Sequence, residues 1–541
     1  MRPRDPGRLE AGEYELLVVG GGIYGLTIAY DAASRGLRTA LVEASDFGAG
    51  ASFNHQKTAH GGLRSLQSGH VDRARESIAE RRALARIAPW FLRPLPFLIG
   101  TYRAVVKNRL AMRAAFRFDA WLGRQRNEGL EPELHLPAPK LLSKAATLRL
   151  FAGINPQRLT GGAQWYDYQM VESERLTVAF AAAADQSGAD LANYVDAVAA
   201  IKVAGRVIGM RVRDRETDRE FAVRARLTIN AAGARAGEIM TTFGVNRPYP
   251  LVKTINLVTS KLASDIALAA PTAAGRMLTL VPWHGRAVIG TGQSAGFVSP
   301  GDLRVSAAEI DGFVAEVNEA FPALKLTRND IRLVHRGVVP AETNSAGTPG
   351  LRTSPEIRDH AADGAPGAMT VVGVKYTTAR GVAERAVDAG ARILGRRLPR
   401  SRTSTTLLPG AAIADHEALA IETARAAAMD LPTELTRHLS ALYAEAAAGI
   451  VRLIAERPDW GAPVALGSQT IGAEVVHVIR HEMALRLTDV VIRRTTIGSG
   501  GHPGAEAIAG CGRIAARELC WTPARLHEEI AAVDAFYAME S

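Results

Sequence analysis

The residues Gly20-Gly21-Gly22-Ile23-Tyr24-Gly25 follow directly on the apolar run Tyr14–Val19, and Glu43 closes a second apolar run, Arg38–Val42. Glycines at these spacings let backbone amides approach a pyrophosphate, and a helix opening at Ile23 would aim its N-terminus at that anion. An acid at the end of the second strand can accept a hydrogen bond from a ribose hydroxyl. Gly20, Gly22, Gly25 and Glu43 therefore read as the seat of an adenine dinucleotide. Near the other end of the chain, His477 and His481 stand four apart on an expected helix, with Glu482 adjacent. The run lacks the second histidine of H-E-x-x-H and has no cysteine close by. These histidines read as structural, and no metal site is expected.

The elements that would position these groups follow from periodicity. Residues 13–45 make a β-α-β unit, and 46–70, rich in Gly, Ser and His, a long functional loop. Helical patterns cover 71–88, 103–126 and 172–188; Gln164–Tyr168 looks like a strand edge and Trp283-His284 like a sheet-edge turn. Short β-like runs at 191–203, 206–213 and 221–230 lead into Asn230-Ala231-Ala232-Gly233, and 248–259, 276–281 and 286–291 suggest an antiparallel sheet. A further strand, turn and helix occupy 368–390, with Gly373 in the turn. After the polar linker Pro399–Pro409 the chain is helical and alanine-rich. The glycine turns at 20–25, 231–233 and 373 can serve one cofactor only if its domain is assembled from discontinuous segments. Flavoenzymes are commonly built so, which favours FAD over NAD.

A chain of 541 residues, 47% hydrophobic and 22% charged, is long enough for two or three globular domains. Cys511 and Cys520 read as ordinary thiols. The net charge of +10 favours anionic ligands, but its arginines are dispersed, with no Lys-rich tail and no aromatic–basic alternation, so nucleic acid is not an expected partner. Met1–Glu13 has no apolar core and is not a secretory signal. The stretch Ile87–Val106 comes nearest to a membrane span but is broken by Pro89, Arg93, Pro94, Pro96 and Arg103. In the helical pattern 103–126, Arg109, Arg113 and Arg117 form a stripe beside Leu110, Phe116, Trp121 and Leu122, a composition suited to an anionic leaflet.

The runs Asp46-Phe47-Gly48-Ala49-Gly50-Ala51-Ser52 and Lys57-Thr58-Ala59-His60-Gly61-Gly62-Leu63-Arg64 resemble the FAD-dependent glycerol-3-phosphate dehydrogenase family of the aerobic, quinone-linked type. Glu80-Arg81-Arg82, Ile87-Ala88-Pro89, Asn230–Gly233, Pro282-Trp283, Ile289-Gly290-Thr291 and Gly373–Arg380 continue the likeness. So do Glu474–His477, Arg480–Ala484, Asp489-Val490 and Arg493-Arg494-Thr495, which extends it over about 13–535. The resemblance implies an α/β fold: a glutathione-reductase-like FAD-binding domain, an inserted antiparallel-sheet substrate domain and a C-terminal helical domain. After a flexible tail at 1–12, the oxidoreductase core would span 13–400. Its FAD segments would lie near 13–90, 165–247 and 345–400, its substrate segments near 91–164 and 248–344, and the helical domain at 405–541. The implied reaction moves hydride from the secondary alcohol carbon of sn-glycerol 3-phosphate to flavin N5, giving dihydroxyacetone phosphate, with quinone or oxygen as final acceptor. A cytoplasmic location, peripheral on the inner face of the cell membrane, goes with it, and a homodimer is left open.

By the same resemblance, FAD would contact Gly20, Gly21, Gly22, Ile23, Tyr24, Gly25, Glu43, Ala51, Ser52, Lys57, His60, Gly61, Gly62, Leu63, Val195, Ala232, Gly233, Gly373, Lys375, Thr377 and Thr378. His60, Arg64, Asn256, Lys375 and Arg352 would face substrate. A neutral imidazole at His60 can accept the alcohol proton or only position the flavin ring. Thr377 and Thr378 would cap a helix start. Several substrate positions depart from the family pattern. Val339 stands where "GVRPL" has arginine, Asn256 where "KGSH" has histidine, Ser65 where "HGGLRYL" has tyrosine, and Gly292-Gln293 close the run that the family writes "GTTD". Losing a guanidinium at a phosphate costs about 1.5–3 kcal/mol per charge-assisted bond. A different hydroxy or amino substrate on the same scaffold, or a non-catalytic flavin-binding partner, therefore stand as alternatives.

Overall fold

The computed structural model describes residues 1–62, 70–102, 109–151, 153–154, 156–261, 265–343, 347–411, 416–426 and 431–540. The chain forms two compact units. The first comprises Met1–Phe53, Glu172–Leu251 and Val339–Ala538; the second Asn54–Val171, Val252–Val338 and Met539–Ser541.

The first unit is built on a parallel sheet. The strand Glu13–Val19 lies at its middle, between Thr39–Val42 and Glu220–Asn230; Asp190–Ala192 extends it on one side and Ala368–Val372 on the other. Glu356–Asp359 adds an antiparallel edge. Leu16, Leu17 and Val18 are buried on both faces, which is why this run reads as continuous apolar sequence rather than alternating. The helix Ile23–Ser34 packs against Ser173–Gln186 and Ala379–Leu394. Val195–Val203 and Arg206–Asp214 form an antiparallel ribbon continuing from Glu220–Asn230. Because the strands ending at Val19, Asn230 and Val372 are immediate parallel neighbours, the turns that follow them share one end of the sheet.

Residues 1–12, expected as a flexible tail, are instead fastened to this unit. The Asp5 side chain caps the helix Pro6–Ala11, Leu9 is fully buried, and Arg2 and Arg4 pair with Asp185 and Asp214. Prolines and charges that look like a tail in sequence are here a helix start and two anchors.

Beyond residue 405 the unit is helical, with Thr433–Tyr443, Ala447–Glu456, Gly472–Glu482, Ala505–Glu518 and Pro523–Tyr537 and a π-helical turn at Asp489–Arg494. The stretch Thr433–Glu456 has the length and mean hydropathy, 1.2, of a membrane span. It is interrupted at Ala444, and Leu439, Ile450, Val451 and Ile454 are buried, so it reads as the core of this helical region. Cys511 is buried and Cys520 exposed, both as free thiols.

The second unit carries an antiparallel-rich sheet. In order across it stand Ile331–Thr343, Leu251–Thr259, Arg286–Gln293, Met277–Trp283, Ala267–Pro271, Leu92–Tyr102, Leu159–Met170 and Thr58–Ala59. Gln164–Tyr168 thus belongs to an interior strand of twelve residues. Leu92–Tyr102 is a strand despite Pro94 and Pro96. Its parallel neighbour Ala267–Ala269 begins only opposite Phe97, so on that side the prolines face no partner whose ladder bond they would break. The helix Ala307–Ala320, started by a Ser306/Glu309 capping box, covers one face through Ile310 and Phe313, which pack on Ile255, Leu257, Leu280 and Ile289. Within the predicted helix 103–126 the structure shows Arg109–Leu122; residues 103–108 lie outside the described residues.

Candidate cofactor and substrate sites

In the first unit the glycine turns fit together because side chains are missing. Gly20 adopts φ +109°, and a Cβ there would strike the carbonyl of Ala231 and the Cα of Ala232. A Cβ at Gly25 would overlap the Gly20 carbonyl, one at Gly21 the Glu43 and Phe47 side chains, and one at Gly373 the ring of Tyr24. Tyr24 locks the first turn to the third: its hydroxyl donates to the Lys375 carbonyl at 2.8 Å and accepts from the amides of Val374 and Lys375 at 3.1 and 3.2 Å. Gly233 takes φ +57°, and the amide of Ala232 is held by the Asn230 side chain. The three turns singled out in the sequence are thus brought together.

Glu43 sits at the end of its strand with both oxygens engaged. The amide of Gly21 donates to Oε2 at 2.5 Å and that of Ser45 to Oε1 at 2.7 Å. Burial pushes its carboxyl up from the ordinary range, and these two amides oppose that shift. Each oxygen retains a lone pair for a hydroxyl. The helix Ile23–Ser34 has Gly22 as N-cap with no side-chain cap, and the amide of Ile23 donates to Ser52 Oγ at 2.9 Å. The amide of Val195 is pinned to the Glu43 carbonyl at 2.8 Å, while its side chain joins the core. Ala51 is exposed. Thr377 is buried. Thr378 is the N-cap of Ala379–Leu394, but it makes no side-chain cap; its hydroxyl turns back to the Lys375 carbonyl at 3.5 Å. The cap expected from Thr378 is therefore not made by its hydroxyl. Lys375 is half-buried; Arg352 spends its fork on Glu356 at 2.7 Å and the Ser354 carbonyl at 3.0 Å.

In the second unit the segment Asn54–Gly62 runs over the sheet face opposite the helix Ala307–Ala320. Asn256 and Thr279 alternate with the helix-facing residues Ile255, Leu257, Leu278 and Leu280, which places them on that other face. The Asn54 carboxamide accepts from the amide of Arg336 at 3.0 Å, and its carbonyl accepts from Asn256 Nδ2 at 3.4 Å. Gln56 accepts from Thr279 Oγ1 at 2.6 Å. Asn256 is 2% exposed, and its Oδ1 accepts from Thr291 Oγ1 at 2.9 Å. Lys57 is fully buried, with Nζ 5.2 Å from the ring centre of Trp283. Val339 is half-buried on Ile331–Thr343.

His60, with 47% of its side chain exposed, closes the segment. Its Nε2 lies 2.7 Å from Thr58 Oγ1, its Nδ1 3.5 Å from Asp167, and its ring meets Phe97 edge-on. Asp167 also accepts from the amide of Gly61 at 2.6 Å and from Trp165 Nε1 at 3.2 Å, and pairs with Arg81. Against the cost of burial, Arg81 and His60 hold its carboxyl below the usual range. A Cβ at Gly61 would strike the Arg81 guanidinium, and Gly62, at φ +83°, abuts Ser77. Leu63, Arg64 and Ser65 lie outside the described residues. Sequence reasoning missed Asp167, Asn54, Gln56 and the bridging role of Tyr24; Tyr24 alone carried a signal, standing inside the glycine fingerprint.

Comparison with known proteins accords with this geometry. The model of the FAD dependent oxidoreductase family matches residues 15–389, and that of the C-terminal domain of alpha-glycerophosphate oxidase matches 401–526. A glycerol-3-phosphate dehydrogenase from Synechocystis is 31% identical over 96% of this chain and 95% of its own length. One from Mycobacterium leprae is 30% identical over 97% of this chain and 88% of its own. A solved glycerol-3-phosphate dehydrogenase from Bacillus halodurans, complexed with FAD, shares the fold at TM-score 0.76 and 22% identity, covering 99% of this chain and 96% of that one. The cofactor is FAD, and the residues present fit it: the helix start at Gly22, an N-cap with no side chain to fill it, suits a pyrophosphate, and Glu43 suits a ribose.

Glu43→Gln tests this cradle. One oxygen becomes an amino group facing the Gly21 or Ser45 amide, and an unpaired buried donor costs about 1–3 kcal/mol. FAD affinity is expected to fall roughly 5- to 150-fold, read by flavin fluorescence during equilibrium titration.

Proposed function

The chain belongs to the FAD-dependent glycerol-3-phosphate dehydrogenase family, and from that premise we propose that it oxidises the secondary alcohol of sn-glycerol 3-phosphate, or of a close analogue, to the ketone. The observation that carries the reading is the likeness to curated dehydrogenases along nearly the whole chain, joined to an intact dinucleotide cradle. FAD, when bound, supplies the two-electron acceptor for the departing hydride. In this reading His60 takes the alcohol proton, with Thr58 and Asp167 fixing its ring. Asn256 cannot act as a base and orients substrate, and Lys375, Arg64 and Arg352 supply positive charge for an anionic substrate. The electrons pass on to a quinone or to oxygen. Anaerobic addition of glycerol 3-phosphate to the yellow holoenzyme is expected to bleach the oxidised-flavin absorption. Persistent colour, with bleaching by another alcohol or an amine, would move the assignment to that substrate.

A second reading, the same scaffold on a different hydroxy or amino substrate, is favoured by Val339 and Asn256, which replace a cation and a titratable ring by an apolar group and an amide hydrogen-bonded at both ends. In that case Val339→Arg with Asn256→His should raise kcat/KM on glycerol 3-phosphate by at least about tenfold, the worth of one charge-assisted bond. No gain in steady-state assays would remove this reading.

The helix Arg109–Leu122 supports a peripheral membrane contact. Met112 and Phe116 face the core, while Leu110, Phe118 and Trp121 are 76%, 40% and 56% exposed beside exposed Arg113 and Arg117. Aromatic and basic side chains on one exposed face match an anionic interface, at about 1 kcal/mol per cation. Arg113→Glu with Arg117→Glu is expected to lower co-sedimentation with phosphatidylserine vesicles about tenfold or more while leaving flavin content unchanged.

A further inference from the structure

Asp46 opens the loop that leads to Ser52, and within the first unit it is the meeting point of that loop with the C-terminal region. It is fully buried, and its carboxylate is saturated. Arg493 Nε donates to Oδ2 at 2.7 Å, Arg494 Nη1 to Oδ2 at 2.8 Å, Arg494 Nη2 to Oδ1 at 2.6 Å and Asn193 Nδ2 to Oδ1 at 3.2 Å. Arg494 is itself fully buried, and Arg493 also donates to Asp489 at 2.6 Å. Both arginines belong to the π-helical turn Asp489–Arg494, hundreds of residues from the loop they hold.

The loop in turn grips the glycine fingerprint at two points. The amide of Gly48, at φ +75°, donates to the Gly21 carbonyl at 2.9 Å, and Ser52 Oγ accepts from the amide of Ile23 at 2.9 Å. Two short links therefore run from the C-terminal arginines to the glycine turn, one ending on the Gly21 carbonyl and one on the Ile23 amide. A buried bidentate pair has one arrangement, so it transmits position rather than only attraction.

We propose that Arg493 and Arg494 are positioning residues for the FAD-binding turn, and that through Asp46 the C-terminal helical region sets how tightly the flavin is held. This rests on the FAD assignment and is independent of the substrate.

Asp46→Asn keeps the shape of the side chain but removes the charge and one acceptor. Asp31→Asn is the control: Asp31 is equally buried, in a pair with Arg35 at the far end of the same Ile23–Ser34 helix. Release of FAD from each full-length holoenzyme on dilution, followed by recovery of free-flavin fluorescence, gives Kd, and thermal melts give stability. The expected result is a Kd at least tenfold weaker for Asp46→Asn and unchanged for Asp31→Asn, although both melt at lower temperature. Should Asp46→Asn not fold, Arg494→Lys, which keeps the charge but loses the fork, should weaken FAD at least threefold. A wild-type Kd in the variant at 46, or in its substitute at 494, overturns the proposal, as does an equal loss in Asp31→Asn. Wild-type protein that binds no FAD would instead refute the cofactor assignment, and this proposal with it.

Discussion

Three β-α turns meet at one end of a parallel sheet, so close that a side chain on Gly20, Gly25 or Gly373 would strike its neighbours. The strands ending at Val19, Asn230 and Val372 are adjacent, so their turns collide unless Gly20, Gly25 and Gly373 leave room. Each glycine costs roughly 0.5–1 kcal/mol of extra backbone entropy. That loss is offset by the burial the sheet achieves once its ends close, and by contacts that then become possible. Tyr24 can bridge to 374 and 375 only because Gly373 admits its ring, and Gly21 can donate to Glu43 only because no Cβ intervenes. The helix start at Gly22, an N-cap without a side chain, is thus a by-product of close packing, and its suitability for an anion follows from it.

The same unit buries charges in pairs: Asp31 with Arg35, Asp46 with Arg493 and Arg494, Glu482 with Arg175, Asp214 with Arg4. Such pairs add little net stability over a well-packed apolar core, but removing one partner costs about 3–5 kcal/mol. Three of them join segments far apart in the chain, whereas Asp31 and Arg35 lie one turn apart at the end of the same helix. The carboxyl pKa values show the division of labour. Against burial, Arg494 and Arg493 hold Asp46 below its usual range, and Arg175 does the same for Glu482. Burial and the nearby Asp46 push Asp489 up to about 6, against the opposing pull of Arg493 and Arg494.

The β-α-β unit and its dinucleotide chemistry were legible because they are local: strand, turn, helix and acid fall within Tyr14–Glu43. The convergence of the turns at 231–233 and 373 was legible only as a requirement of one cofactor. Sequence periodicity did not reveal Leu92–Tyr102, since Pro94 and Pro96 argue against a strand until the partner is seen to begin at Phe97. Nor did it reveal the anchoring of residues 1–12, which depends on Asp185 and Asp214 far along the chain. Asp46, Arg493 and Arg494 all lie in runs that resemble the family, yet their pairing is long-range and leaves no trace in spacing. The hydrogen-bonded sheet face around Asn256 was the least legible part, because an amide committed to its neighbours and one free to bind a ligand have the same letter.

That face consists mainly of neutral groups that satisfy one another. Asn54, Gln56, Asn256, Thr279 and Thr291 are joined by hydrogen bonds across neighbouring strands, with Asn256 engaged at both ends. An amide in that position gives up one bond to make another, at about 1 kcal/mol, so it contributes shape and orientation more than driving force. Asp167 is equally committed, to Arg81, Trp165 and the Gly61 amide, and cannot leave them without stranding buried donors. His60 differs in being nearly half exposed while held at both ring nitrogens. Around Asn256 the face is thus held by neutral hydrogen bonds, and the segment ends in the one imidazole that is both oriented and partly exposed.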